Sequence, residues 1–169
     1  LPRQIYLNGG TTDFAGDNIF EVDFGEYLNN SHTSGSYNQH DNVGSDKAID
    51  EHYIEYMKQN VNDLIVLHTV GADHTSHNKN TFKHEKVCDK LKSNDEVVAD
   101  LYKMLPEKSL FIVAGDHGMN KFSNHASFSP DEIDAGLLLH STNGLGEQTK
   151  NKITQIDIEF LKQNNIKGL

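Results

Sequence analysis

Two short apolar runs, each followed by an aspartate and a histidine, place the strongest constraint on the fold of this chain. They are Leu64 to Val70, which leads to Asp73 and His77, and Leu110 to Ala114, which leads to Asp116 and His117. Short runs of Val, Ile and Leu separated by a helical pattern are typical of parallel strands in an α/β sheet. Ligands bind beyond the carboxyl ends of such strands, where these polar residues fall. The pattern therefore predicts parallel strands with a functional site at their ends.

The remaining periodic stretches extend this pattern to an α/β domain. The predicted order is a helix from Ser45 or Asp46 to Asn60, the strand Leu64–Val70, a helix from Val87 to Leu105, the strands Leu110–Ala114 and Ala135–His140, and a helix from Lys150 to Gln163. Apolar residues at helical spacing support each helix, and Pro106 stops the second one. This order predicts a layered α/β fold with a largely parallel central sheet flanked by helices.

The first 45 residues carry the weakest pattern. Leu1 to Leu7 predicts a short strand, Asn8-Gly9-Gly10 a turn, and the polar stretch Asn29 to Gly44 a loop. Asn29-Asn30-Ser31 also fits the acceptor pattern for N-glycosylation. A length of 169 residues predicts a single domain, whose core we assign to residues 46–169.

Composition excludes several classes of protein. The net charge of −10 argues against non-specific binding to nucleic acid, which relies on clustered Lys and Arg. An acidic chain can still act on anionic substrates, because bound divalent cations reverse the local field. No apolar run in the sequence approaches the roughly 18 to 20 residues of a membrane span. Cys88 is the only cysteine, so an internal disulfide and a thiolate-rich zinc site are both excluded.

The aspartates and histidines after the two runs have the chemistry of metal ligands. Carboxylate oxygen and imidazole nitrogen suit a divalent ion such as zinc or manganese. Asp73 and His77 can face one ion if the chain between them turns or begins a helix. Asp116 and His117 follow the second strand, and His125 lies in a polar loop beyond them. Two carboxylates and three imidazoles exceed what one ion takes together with a substrate, so the set indicates two metals.

Each cluster also has a simpler interpretation. Taken alone, an Asp-His pair in a loop is a turn with solvated polar side chains. His68, inside an apolar strand, is better interpreted as a core histidine or one that supports the ligands. His74 could equally face solvent, and the other histidines are assigned to structural or surface positions: His32, His40, His52, His84 and His140.

The motifs at these residues resemble a known family. GADHTSH followed by VAGDHGM looks like the catalytic domain of the alkaline phosphatase superfamily. The intervening helix KHEKVCDKLKSNDEVV and the stretches SNHASFSPDEIDAGLLLHS and ITQID are most similar to the ethanolamine phosphate transferases of glycosylphosphatidylinositol (GPI) anchor assembly. Within that group the likeness is greatest to the enzymes that modify the third mannose. The resemblance covers roughly Asp63 to Asp157, and it implies a partial catalytic domain with an alkaline-phosphatase-like fold.

Carried over to this sequence, the resemblance implies a site with two zinc ions, manganese being the alternative. Asp73, His77 and His125 would hold one ion, and Asp116 and His117 would belong to the second. The family completes the second site with an aspartate on an earlier strand and a threonine nucleophile, and no residue here is assigned to either role. Thr11, Thr12 and Asp13 are left unassigned because no apolar strand precedes them. The chain is therefore expected to be the latter half of a catalytic domain, cut at both ends.

The implied reaction is transfer of phosphoethanolamine from a phospholipid donor to a mannose hydroxyl of the GPI precursor. The family works at the endoplasmic reticulum membrane with a lumenal catalytic domain, and it has a membrane region that this chain lacks. Two alternatives stay open at this point. One is a hydrolytic phosphodiesterase or nucleotide pyrophosphatase with the same ligands and water as acceptor. The other is a catalytically inactive metal-binding fragment, in keeping with the unassigned threonine.

Overall fold

The computed structural model describes residues 1–35, 46–59 and 62–144. The helix predicted from Lys150 to Gln163 and most of the predicted polar loop lie outside these residues. The chain divides into two compact units, which are described separately. The first contains Leu1–Leu105 and Gly115–Gly136, and the second contains Pro106–Ala114 and Leu137–Leu169.

The first unit contains most of the described helices and strands. In chain order they are α1 (Pro2–Leu7), β1 (Thr12–Asp17), α2 (Asn18–Phe24), a 3-10 turn (Gly25–Tyr27), β2 (Asn30–Ser34), α3 (Lys47–Gln59), β3 (Leu64–His68), α4 (Gly71–Lys79), α5 (Glu85–Met104) and, beyond the residues of the second unit, α6 (Pro130–Ile133). Its sheet has the order β2-β1-β3, and both pairings are parallel. The predicted α/β fold with a parallel sheet and flanking helices is confirmed.

The central strand β1 is buried along its whole length, although half of its residues are polar. Asp13 is fully buried, and its carboxylate accepts hydrogen bonds from the amides of Asn30 (2.9 Å) and Asn62 (2.7 Å). Thr12 N donates to the side-chain oxygen of Asn29 at 2.8 Å. These partners satisfy the Asp13 carboxylate and the Thr12 amide, so the strand tolerates polar residues in the core, although Thr12 Oγ1 has no hydrogen-bond partner among the described residues.

Two predictions for the N-terminal residues are wrong. Leu1 to Leu7 is not a strand: Pro2 begins α1, because proline is well suited to the first helical turn, where its missing N–H is not needed. The stretch from Asn29 is not entirely a loop, because Asn30–Ser34 forms β2. β2 pairs with β1 through backbone hydrogen bonds, which its polar side chains do not prevent.

The core of the first unit lies between the sheet and α3. Phe14 and Ala15 of β1 are fully buried, as are Ile49 and Tyr56 of α3 to within 2%. The Tyr56 hydroxyl donates to the carbonyl oxygen of Phe14 at 3.1 Å, which joins the helix to the central strand. Within the described residues, α3 lies inside the helix predicted from Ser45 or Asp46 to Asn60.

Strands β1 and β3 approach each other closely at Gly16. Its φ is +154°, and a Cβ at this position would lie 2.5 Å from the carbonyl oxygen of His68. No side chain fits there without moving the backbone of the neighbouring strand. Gly16 therefore fixes the register at the carboxyl end of β3, from which the chain continues to Asp73.

The second unit contains β4 (Leu110–Ala114) and β5 (Leu137–Ser141), which form a separate two-stranded sheet. The two strands are antiparallel, with Ile112 opposite Leu139. The prediction that the runs at Leu64 and Leu110 are parallel strands of one sheet is therefore not met among the described residues, since β4 pairs with β5. Short apolar runs do not distinguish parallel from antiparallel neighbours, because both kinds of strand accept them.

Candidate metal centre

Helix α4, which carries two of the candidate ligands, begins immediately after β3. Its N-cap residue, Val70, offers no side-chain hydrogen bond. The Asp46 carboxylate takes this role from another part of the unit, accepting from Val70 N at 2.9 Å and from Gly71 N at 3.0 Å. Asp46 is only 3% exposed and also lies 3.4 Å from the ammonium of Lys90. A Cβ on Gly71 would lie 2.2 Å from this carboxylate, so the helix start requires glycine.

Asp73 and His77 lie one turn apart on α4 and face the same side. The distance from Asp73 Oδ1 to His77 Nε2 is 3.3 Å, and both side chains are 29% exposed. Asp73 lies in the first turn and His77 in the last, which is the arrangement that the helix dipole favours for an acidic and a basic group. The helix that allows these two residues to face one ion is thus present.

His125 reaches the same place from a loop rather than from a regular element. Its Nε2 lies 3.4 Å from Asp73 Oδ1, and its ring centroid is 4.9 Å from that of His77. The loop contacts α4 at Ser76, whose hydroxyl donates to the Asp73 carbonyl (2.8 Å) and lies 2.9 Å from Sδ of Met119.

The three ligand atoms of Asp73, His77 and His125 lie within 4.8 Å of one another. Ligands about 2.0–2.1 Å from a tetrahedral ion are separated by roughly 3.3–3.4 Å from each other. The distances of 3.3 and 3.4 Å from Asp73 Oδ1 to the two imidazole nitrogens match this spacing. They exceed the usual length of a hydrogen bond, and Asp73 Oδ1 is buried without a hydrogen-bond partner among the described residues. The oxygen and nitrogen donors therefore fit a divalent ion.

Asp116 and His117 lie beside this group but do not form a second one. The side chain of Asp116 is 73% exposed, and its Oδ2 lies 3.5 Å from Nε2 of His117. The His117 ring stacks on that of His125 with centroids 3.9 Å apart. Its Nδ1 lies 2.9 Å from the carbonyl oxygen of Gly118, which leaves Nε2 as the free acceptor. Among the described residues, no third His, Cys, Asp or Glu gathers with this pair.

The other histidines have varied positions. His68 lies at the end of β3, half-buried, and its Nδ1 has no hydrogen-bond partner among the described residues. His84 caps α5 by accepting from Lys86 N at 3.2 Å. His32 and His52 stack with centroids 3.6 Å apart beside Tyr56. His40 lies outside the described residues.

Two residues that support the centre have no signal of their own in the sequence. Asp46 directly precedes α3, as the sequence predicts, and its carbonyl accepts from Ile49 N and Asp50 N. Its side chain, however, caps α4, which the sequence does not predict. Glu132, in α6, is 5% exposed and accepts from the Asn120 amide and from Ser127 N, both at 2.8 Å. Hydrogen bonds from Ser127 and Asn120 lower the pKa of Glu132 to about 2. A buried carboxylate in a polar stretch of sequence cannot be told from a solvated one without the fold.

Fold and centre together define an α/β metalloenzyme, and the chain belongs to the metalloenzyme superfamily, whose family model matches residues 5–165. The structure is similar to a phosphoglycerate mutase of Leishmania mexicana, with a TM-score of 0.59 and 13% identity over 86% of this chain and 32% of that one. At this identity the likeness supports the fold alone, which is the predicted alkaline-phosphatase-like one. No helix of the described residues is both long and apolar enough to cross a membrane.

Within this class, the sequence is similar to particular transferases. It is 34% identical over 143 residues to GPI ethanolamine phosphate transferase 3 of Schizosaccharomyces pombe, which covers 83% of this chain and 15% of that protein. It is 30% identical over 149 residues to the catalytic subunit of GPI ethanolamine phosphate transferase 3 of Homo sapiens, covering 88% of this chain and 14% of that subunit. The predicted resemblance to the GPI ethanolamine phosphate transferases is thus confirmed, and both of these relatives are of the type numbered 3. The chain spans about one seventh of the length of these relatives.

Proposed function

We propose that this chain is part of the catalytic domain of a metal-dependent transferase that moves phosphoethanolamine from a phospholipid to a mannose of the GPI precursor. Asp73, His77 and His125 would hold one ion, and Asp116 and His117 would contribute to a second. Zinc is the ion that we assign, because two imidazoles and one carboxylate form a common ligand set for it. The relatives' names support transfer of ethanolamine phosphate in GPI chemistry. The phospholipid donor, the mannose acceptor and a lumen-facing location at the endoplasmic reticulum membrane are part of the proposal and come from the family resemblance.

One observation carries this proposal more than any other. A buried carboxylate oxygen without a hydrogen-bond partner among the described residues is costly, because its desolvation is uncompensated. Asp73 Oδ1 has two imidazole nitrogens at the spacing that an ion requires. A cation would satisfy all three groups at once, which explains why the fold brings them together.

The side chains of this centre have distinct roles in the proposed reaction. A bound divalent ion supplies positive charge that stabilises phosphoryl oxygens and lowers the pKa of an attacking hydroxyl. Asp73 and His77 are fixed by one helix, so they present two ligand atoms with little freedom to move. His117 keeps Nε2 free because Nδ1 faces the Gly118 carbonyl. The exposed Asp116 is accessible to a substrate or to a further ion.

The test uses the full-length protein with a radiolabelled phosphatidylethanolamine donor and a mannose-containing GPI precursor. Transfer of label to the glycolipid is expected, and Asp73→Ala should abolish it. Asp95→Asn is the matched control, since Asp95 is an exposed carboxylate on α5, and it should retain transfer. Release of phosphoethanolamine to water, with none on the glycolipid, would favour a hydrolytic phosphodiesterase. If Asp73→Ala retained both transfer to the glycolipid and release to water, this centre would have no part in catalysis.

A further inference from the structure

The loop that carries His125 is held by its own hydrogen bonds rather than by a helix or strand. The Asn120 side-chain oxygen accepts from Phe122 N (2.9 Å) and from Asn124 N (3.1 Å). Asn120 N donates to the carbonyl oxygen of Asn124 at 3.0 Å. Two residues of this loop, Ser123 (φ +58°) and Ala126 (φ +75°), have a left-handed backbone, which is unfavourable for non-glycine residues. An external anchor is needed to keep such a loop in one conformation.

Glu132 provides contacts on both sides of His125. Its Oε1 accepts from the amide nitrogen of Asn120, and its Oε2 accepts from Ser127 N, both at 2.8 Å. Its carbonyl oxygen also accepts from Gly118 N at 2.9 Å, directly after His117. Glu132 as a whole residue is 5% exposed, so these bonds face little competition from water. One residue therefore ties down the segment before His125 and the segment after it.

We infer that Glu132 is a positioning residue for the metal centre: through Asn120 and Ser127 it holds the His125 loop so that Nε2 faces Asp73. The expected effect of Glu132 on metal binding rests on the proposed metal site. Its effect on the position of His125 does not depend on an ion. Glu132 acts through the loop and touches neither Asp73 nor any other candidate ligand side chain in the contacts that the described residues make.

The hydrogen-bond polarity of this anchor permits a sharp test. In Glu132→Gln, one of the two carboxylate oxygens becomes an amide nitrogen, so a donor faces a donor at Asn120 or at Ser127. In Asn120→Asp alone, two carboxylates face each other and repel. In the double variant Asn120→Asp with Glu132→Gln, the glutamine donates to the aspartate and still accepts from Ser127 N. The swap restores both bonds and keeps the net charge of the original pair.

The experiment compares these variants in the metal-free chain and with cobalt(II) as the probe ion. NMR of the metal-free chain detects the contact between the stacked rings of His117 and His125, whose centroids are 3.9 Å apart. Cobalt titration, followed by visible absorption, gives the dissociation constant. Asp131→Asn is the control, since it makes the same charge change at an exposed position of the same helix.

We expect Glu132→Gln to lose the ring contact and to weaken cobalt binding by about 10- to 100-fold, the usual effect of removing groups that orient metal ligands. The swap should restore both, and Asp131→Asn should change neither. An unchanged ring contact in Glu132→Gln, or no recovery in the swap, would overturn the inference. If the wild-type chain binds no cobalt while Glu132→Gln still loses the ring contact, the proposed metal site is overturned and the positioning role of Glu132 stands. If Glu132→Gln does not fold, Asn120→Asp replaces it in both measurements, because it keeps the bonds from Phe122 N and Asn124 N and loses only the bond to Glu132.

Discussion

Asp73 Oδ1 lies 3.4 Å from His125 Nε2, although one residue is on a helix and the other in an irregular loop. The same oxygen lies 3.3 Å from His77 Nε2, so a single carboxylate atom faces two imidazoles. Without an ion, this arrangement leaves a buried oxygen without a hydrogen bond among the described residues. The fold therefore retains a locally unfavourable group at this point, which is typical of functional sites.

Zinc is expected to raise the melting temperature of the chain, and a chelator to reverse the effect. Free zinc at 100 times the dissociation constant stabilises the folded state by about 2.7 kcal/mol. Asp73→Ala should remove this response, because it deletes the oxygen that both imidazoles face. His84→Ala is the control: it removes a helix cap and lowers the basal melting temperature, but the zinc-dependent shift should remain. Equal zinc shifts in the two variants, measured by calorimetry, would contradict the assignment.

Asp46→Ala is expected to destabilise the fold by at least about 2 kcal/mol, the upper range for loss of a helix cap. The variant removes the acceptor for Val70 N and Gly71 N and leaves the Lys90 ammonium without its carboxylate. Lys47→Ala, next in sequence, breaks an exposed ion pair with Glu51 and should cost less than about 1 kcal/mol. Urea unfolding measures both. Similar midpoints would show that Asp46 does not hold the start of α4.

Gly16→Ala is expected to cost about 3 kcal/mol, at the upper end for overpacking, because the new Cβ would meet the His68 carbonyl oxygen at 2.5 Å. Its φ of +154° adds backbone strain for alanine. Gly25→Ala is the matched control, since its nearest contact would be 3.6 Å, an ordinary distance, and it should change stability by less than about 0.5 kcal/mol. Unfolding free energies from denaturant titration decide the comparison.

The sequence predicts the elements whose apolar residues have a regular spacing. β4 has the predicted bounds and α3 lies within the predicted helix, because their packing follows the strand and helical periods. The pattern does not predict β1, because its buried residues include Thr12 and Asp13, and asparagines from other parts of the chain bond the Thr12 amide and the Asp13 carboxylate. A periodic pattern of apolar residues reveals a buried strand only when the buried side chains are apolar, so it cannot detect β1.

The candidate centre is predictable to a different degree at each residue. Asp73 and His77 follow from their spacing, since a helix places such a pair on one face. His125 has no spacing relation to them: its place in a polar loop makes it a candidate ligand, and the family resemblance assigns it to the same ion as Asp73 and His77. Asp46 and Glu132 escaped prediction because their roles depend on long-range hydrogen bonds to backbone and side-chain groups. Only the pair Asp73 and His77 is thus encoded by local spacing, whereas the approach of His125 and of the orienting residues depends on the fold.

The Tyr56 phenol is expected to be among the last groups to ionise as the pH rises. Burial, followed by the charge of Asp13, raises the pKa of Tyr56 to about 12 from an ordinary 10.0. Tyr56 is only 2% exposed, and its hydroxyl donates to the Phe14 carbonyl oxygen, so the neutral form of the phenol is favoured in the folded state. Because the folded pKa is the higher one, this group's contribution to stability is complete below pH 10 and is lost as the pH rises towards 12.

Tyr56→Phe should therefore flatten the loss of stability between pH 10 and about 12, and the most alkaline tyrosinate transition in the absorbance titration should disappear. At neutral pH the variant should be less stable by about 1 to 3 kcal/mol, because the hydroxyl has two partners, the Phe14 carbonyl oxygen and Nδ1 of His32. Tyr6→Phe removes a phenol that is 53% exposed and should leave the most alkaline transition in place. If the titration of Tyr6→Phe lacks that transition while Tyr56→Phe retains it, the buried phenol is not the group that ionises last, and α3 is not joined to β1 through a neutral hydroxyl.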